Sequence, residues 1–225
     1  STASKNEIIM ATNAEFEPFE YKENGNIVGF DVDIANYIAK DINKTLKIDD
    51  MSFDSVLAAI PSGKADMGIA AMSVKPERKA NMDFSDPYFT AYQVMIVKDG
   101  SVIKTGEDLK GKKIGVQQGT TGDTYVSDTY KDATITRYNK GSEAVLDLKN
   151  GKIDAVVIDD YPAKKYAQTN AGVKVIDTPL TDKEEYAIAV KKGNTELLNK
   201  INAALAKMKS SGEYTKTFDK YFAAK

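Results

Sequence analysis

The feature that most limits what this chain can fold into is a repeat. S-V-L-A-A-I-P-S-G-K-A-D-M-G-I-A (Ser55–Ala70) lines up with E-A-V-L-D-L-K-N-G-K-I-D-A-V-V-I (Glu143–Ile158). Gly63, Lys64 and Asp66 fall on Gly151, Lys152 and Asp154, an offset of 151 − 63 = 88 residues. Each copy reads as a helical apolar stripe, a glycine stop, an aspartate and a short apolar run of strand length. Strands alternating with helices build a mostly parallel sheet with helices on its faces. Two copies within 225 residues therefore predict an α/β chain of two similar lobes, each a small doubly wound sheet.

The rest of the chain keeps that rhythm. Strands are predicted at Glu7–Thr12, Leu46–Met51, Met67–Ala70, Tyr92–Lys98, Lys113–Val116, Thr134–Tyr138, Ile153–Ile158, Val173–Ile176 and Tyr186–Lys191. Asp31 is placed as the cap of a helix reaching to about Lys44, and Asp54 as the cap of the next. Helices are also expected at Asp123–Tyr130, Ser142–Asn150 and Tyr161–Gln168, the last with Pro162 in its first turn. Two closing helices carry the stripes Leu197, Leu198, Ile201, Leu205, Met208 and Tyr214, Phe218, Tyr221, Phe222. With Tyr92–Lys98 and Tyr186–Lys191 as crossings, lobe 1 comprises residues 1–95 and 190–225, and lobe 2 residues 96–189.

Composition removes several kinds of chemistry. The chain has no Cys and no His, which excludes thiolate nucleophiles, His-based triads and nearly every zinc site. A net charge of −2 with both signs interspersed leaves no basic stripe for nucleic acid. No apolar run approaches the ~20 residues of a membrane span. The opening S-T-A-S-K-N is small and polar and reads as the tail left by processing or trimming. Asp31-Val32-Asp33 lacks the spaced oxygens and glycine of a calcium loop and is assigned to capping. Asp66 and Asp154 are assigned to turn formation. Q-Q-G-T-T-G (Gln117–Gly122) lacks the G-K-S/T of a nucleotide cradle. No cofactor and no metal are expected.

Ligands of open α/β sheets sit at strand ends. Four such loops stand out: Asn13–Phe16 and Ala71–Ser73, the latter including Met72, in one lobe; Gln117–Thr121, including Thr120, and Asp159-Asp160 in the other. Next to the second lies Arg78, one of two arginines against 29 lysines (31 − 2). A planar guanidinium binds a carboxylate through two parallel hydrogen bonds, which an ammonium does not. The competing assignments are an incidental surface arginine, and core packing for Phe16 and Phe53.

These residues lie within motifs that resemble one family. A-T-N-A-E-F-E-P-F-E (Ala11–Glu20), G-F-D-V-D-I-A (Gly29–Ala35), M-S-V-K-P-E-R-K (Met72–Lys79), D-F-S-D-P-Y (Asp83–Tyr88), L-K-G-K-K-I-G-V-Q-Q-G-T-T (Leu109–Thr121), D-A-V-V-I-D (Asp154–Asp159) and S-G-E-Y (Ser211–Tyr214) occur in family order. The chain resembles the extracytoplasmic solute-binding proteins that deliver polar amino acids to ABC importers. The resemblance implies a two-lobed periplasmic-binding-protein-like fold with two crossover strands as hinge. It implies that Arg78 clamps the ligand α-carboxylate with the backbone N–H of Thr121. Ala71 carbonyl, Ser73 hydroxyl and Asp159 would hold the α-amino group, with Phe16 and Phe53 as walls.

It further implies a non-enzymatic, monomeric receptor outside the cytoplasm, partnered by a membrane permease and tied to the membrane at most by a lipid anchor. Asn13 departs from the aspartate of many relatives that bind cationic amino acids, and the resemblance leaves Asp160 unassigned. V-Q-Q-G-T-T-G is most like arginine-binding members. Arginine is therefore the first choice of ligand, with Glu20 or Glu15 lending charge; glutamine or lysine comes next. Two alternatives remain: an enzyme on this scaffold, like cyclohexadienyl dehydratase, and the ligand-sensing domain of a larger receptor.

Overall fold

A computed structural model describes residues 6–223, so most of the segment read as a processed tail lies outside the described residues. In chain order the elements are β1 (Glu7–Thr12), β2 (Glu15–Phe16), β3 (Glu20–Glu23), β4 (Asn26–Val28), α1 (Phe30–Asp41), β5 (Thr45–Asp50), α2 (Phe53–Ala59), β6 (Met67–Gly68), α3 (Pro76–Lys79), β7 (Met82–Phe84) and β8 (Phe89–Ala91). There follow β9 (Gln93–Lys98), β10 (Lys113–Gln117), α4 (Thr121–Thr129), β11 (Thr134–Tyr138), α5 (Gly141–Lys149), β12 (Ala155–Asp159), α6 (Asp160–Thr169), β13 (Val173–Ile176), β14 (Glu184–Tyr186), β15 (Ala189–Lys191), α7 (Thr195–Ser210) and α8 (Glu213–Phe222).

The chain forms two compact units. One combines residues up to Thr90 with those from Glu185 onward; the other is Ala91–Glu184. Each crossing falls five residues before the boundary read from the sequence (95 − 90 and 189 − 184). The physical reason is that Gln93–Lys98 belongs wholly to the second sheet. The expected strand Tyr92–Lys98 is β9, preceded by a separate short strand β8, and the expected Tyr186–Lys191 is split between the end of β14 and β15; β8 and β14 pair as a ribbon.

Each unit holds one five-stranded sheet, in the orders β5-β1-β6-β15-β7 and β11-β10-β12-β9-β13. β1 pairs in parallel with β5 and β6, as β10 does with β11 and β12. In each sheet only the strand at the fourth place runs antiparallel to its neighbours, β15 in one and β9 in the other. The burial patterns follow. Five of six residues in β1 and all five in β12 are buried, as inner strands covered on both faces require, whereas edge strand β11 is half exposed. Ile9, Val56, Ile60 and Met72 centre the first core; Met95, Ile114, Val116 and Val157 centre the second.

The repeat is visible in two aspartates. Ile9 N donates to Asp66 Oδ2 at 2.8 Å, and Asp66 N returns a bond to Ile9 O at 3.0 Å. Lys113 N donates to Asp154 Oδ2 at 2.8 Å, and Asp154 N to Lys113 O at 2.7 Å. These side chains lace the start of one strand to its neighbour, which corrects their assignment as local turn formers. The aspartate caps are corrected as well. α1 begins after Gly29 and α2 after Ser52, both without a side-chain capping bond. Asp33 instead accepts from Lys220 Nζ at 2.7 Å and Tyr221 Oη at 2.9 Å, tying α8 to α1.

Candidate functional site

In the first unit the residues of interest lie on the ends of β1 and β6 and the turns beyond them. Asn13, just after β1, is 6% exposed and its Nδ2 donates to Met51 O at 2.7 Å. That bond sets the amide oxygen on the side away from Met51. Phe16, on β2, and Phe53, on the first turn of α2, are both buried. Glu20 opens β3 and is 1% exposed, its carboxyl close enough to Asp31 to affect that group's titration. Any charge Glu20 lends a ligand is therefore shared with a second buried carboxyl, a pairing that sequence reasoning did not foresee.

Loop 71–74 is fastened at several points. Ala187 N donates to Met72 O at 3.1 Å and Val74 N to Glu185 O at 2.9 Å, while Ser73 bridges to Tyr186. Ala71 N donates to Asp31 Oδ2 at 2.7 Å. Ala71 itself has φ +44°, the left-handed region, which costs a residue with a Cβ roughly 1–2 kcal/mol. Pro76 starts α3 without needing an N–H donor, and the turn carries Arg78 to a buried position (8% exposed). Its Nη1 donates to Ser73 O at 2.8 Å, and its guanidinium carbon lies 5.3 Å from the centre of the Phe53 ring. Arg78 is thus a fixed, buried fork rather than an incidental surface arginine.

In the second unit α4 begins at Thr121, two residues before the expected start, because Thr120 caps it. Thr120 Oγ1 accepts from Asp123 N at 3.2 Å and donates to Gln117 O at 2.8 Å. The backbone N–H of Thr121 is consequently the first of the helix, a group without an intrahelical acceptor and suited to an anion. Its hydroxyl donates to Glu184 Oε2 at 2.7 Å and accepts from Gln93 Nε2 at 3.1 Å. Gly122 permits this: a Cβ there would lie 2.7 Å from Gln93 Oε1.

Gln117 ends β10 with its Nε2 donating to Asn139 O at 3.1 Å, which sets that amide oxygen away from its anchor. Asp159 ends β12 and precedes α6, buried (4% exposed) and making no capping bond from its side chain. Asp160 is the first residue of α6 rather than part of a loop; burial pushes its carboxyl above the usual range, partly offset by Lys164. The other arginine, Arg137, is held by Asp123, with Nε 2.9 Å and 3.0 Å from its two carboxylate oxygens.

Among the described residues no group of three or more acids gathers as a metal site. Each unit thus brings one part of the expected set to its strand ends: Asn13, Phe16, Phe53, Ala71, Ser73 and Arg78 in the first, Gln117, Thr120, Thr121 and Asp159 in the second.

Two α/β units joined by two crossings, with a fixed arginine at one strand end and an acid at another, define a solute-binding protein of the periplasmic-binding-protein type. The chain belongs to the bacterial extracellular solute-binding proteins, family 3, whose profile matches residues 8–224. It is 38% identical over 227 residues to the arginine-binding extracellular protein ArtP of Bacillus subtilis (strain 168), covering 99% of this chain and 88% of that protein. An ancestral arginine-binding protein bound to arginine is 44% identical with a TM-score of 0.94, covering 97% of this chain and 99% of the other. An ancestral arginine-binding protein bound to glutamine is 43% identical, also at 0.94, covering 99% and 100%.

Proposed function

We propose that this protein is a non-catalytic receptor for a polar L-amino acid, arginine first, which it hands to a membrane ABC importer outside the cytoplasm. The observation that carries the reading is Arg78, buried, held by Ser73 O and lying over Phe53. A fork fixed in this way is organised for the two parallel bonds of an α-carboxylate before any ligand arrives. The N–H of Thr121 is the second donor, and Ala71 carbonyl, Ser73 and Asp159 receive the α-amino group. Arg78 supplies the cation and Asp159 the anion that the two charges of a zwitterion require.

Arginine is placed ahead of glutamine on the aromatic walls, with two anchored amides at hand as acceptors. Asn13 and Gln117 each anchor one amide N–H on a backbone carbonyl, which fixes the orientation of two amide oxygens able to accept from a guanidinium. Phe16 and Phe53 offer faces on which a planar cation stacks.

A thermal-shift screen against the twenty amino acids tests the proposal. A ligand present at 100 times its Kd adds about 2.7 kcal/mol of stability. Arginine is expected to give the largest shift and to be recovered chemically unchanged. No shift with any amino acid would overturn the receptor reading; a larger shift with glutamine would overturn the choice of ligand.

A further inference from the structure

Two of the sequence motifs meet at one buried carboxylate, which also holds the residue just before a third. Asp31, from G-F-D-V-D-I-A, is fully buried and accepts two hydrogen bonds on one oxygen: from Ala71 N at 2.7 Å and from Tyr88 Oη at 2.7 Å. Tyr88 comes from D-F-S-D-P-Y, and its carbonyl accepts from Tyr214 of S-G-E-Y at 2.5 Å. Ala71 opens the loop that runs into M-S-V-K-P-E-R-K. The approach depends on Gly29, whose φ of +133° and missing Cβ let Phe30 N and Asp31 N bond to Pro18 O and Phe19 O; a Cβ would lie 2.1 Å from Phe19 O.

We infer that Asp31 is a positioning residue for ligand binding: its carboxylate holds the Ala71 peptide in the left-handed conformation that aims the ligand loop. A residue with a Cβ at φ +44° relaxes toward ordinary backbone unless something fixes its N–H. At Ala71 the hold is a side chain, Asp31, acting on the residue's own N–H, while Arg78 Nη1 holds Ser73 O further along the loop. The other holds, at Met72 and Val74, are backbone bonds to Ala187 and Glu185. Losing Asp31 frees the Ala71 peptide to rotate, and with it the carbonyl proposed to receive the α-amino group. Tyr88, whose hydroxyl donates to the same oxygen, fixes the carboxylate in turn. The inference rests on the reading of loop 71–73 as part of the ligand site.

The test is calorimetric titration of arginine into the wild-type protein, D31N, D31A and Y88F, with thermal unfolding of each ligand-free protein. D31N keeps an oxygen at the acceptor position and is expected to stay within about threefold of wild-type affinity. D31A removes the acceptor and is expected to bind at least about tenfold more weakly. Y88F removes the other donor but leaves Ala71 anchored, so it is expected to lower the unfolding temperature while changing affinity by less than about threefold. D31A binding within about threefold of wild type, or Y88F losing as much affinity as D31A, would show a merely structural role and overturn the inference.

If D31A does not fold, D31N decides: a loss beyond about tenfold there overturns it. Amide exchange provides the independent arm. The Ala71 N–H is expected to be strongly protected in the ligand-free wild type, and an unprotected Ala71 overturns the inference whatever the variants do. A wild type that binds no amino acid but protects Ala71 would refute the ligand reading alone.

Discussion

The guanidinium of Arg78 lies over the ring of Phe53, 5.3 Å from its centre, and both side chains are buried. The ring therefore does two jobs, orienting the fork from below and closing the core against Val56 and Met72. Phe53→Leu keeps an apolar, somewhat smaller side chain but removes the π face. A cation–π contact is worth about 0.5–2 kcal/mol, so arginine affinity is expected to fall by roughly 2- to 30-fold. Calorimetry on the variant checks this, with circular dichroism to confirm that it folds.

Thr121 is expected to matter for stability through its hydroxyl. Thr121→Val is nearly isosteric but deletes the bond to the buried Glu184 carboxylate and the acceptor of Gln93. Losing a partner of a buried polar group costs about 1–3 kcal/mol. Urea unfolding of the ligand-free protein is expected to show a lowered midpoint with an unchanged slope.

Asp31 makes stability depend on pH in a direction opposite to most paired carboxylates. Burial raises its carboxyl above the ordinary 3.8, and the nearby Glu20 and hydrogen bonds from Ala71 and Tyr88 only partly offset this; Tyr214 adds a further nearby titratable group. Between 3.8 and the raised value the folded state holds a proton that the unfolded chain has released. Stability attributable to this group is therefore present at low pH and lost as pH rises through that window. Asp31→Asn cannot ionise, so its unfolding temperature is expected to gain on wild type as pH rises from 4 toward 7. A variant that loses ground over the same range would contradict the assignment.

The same residue shows what was and was not legible in the sequence. Strand–helix alternation and the repeat at Asp66 and Asp154 are local patterns, and they yield the two-unit fold and its sheet composition. Arg78 is legible because it is rare, whereas Thr121 is reached only through the family resemblance, the cap at Thr120 that starts its helix being visible only in the structure. Asp31 was not. Its aspartate before an apolar stripe looks like a helix cap, whereas its partners Ala71 and Tyr88 stand 40 and 57 residues away. Asp66 and Asp154 misled in the same way, since an aspartate near a glycine reads as a turn former when its bond goes to a distant strand. Side chains whose job is to join remote segments carry no local periodicity. The Glu20–Asp31 pair, which puts two acids together in the core, was equally invisible.

The most direct measurement is calorimetric titration of arginine into the wild-type protein and Arg78→Ala. Removing one partner of a desolvated charge pair typically costs about 2–5 kcal/mol, so the variant is expected to bind at least about thirtyfold more weakly. Its ligand-free fold should be retained, since the short helix that carries Arg78 packs on β7, the edge strand of its sheet. Arginine bound by the variant with near wild-type affinity would contradict the assignment of Arg78 as the carboxylate clamp, and with it the proposed site.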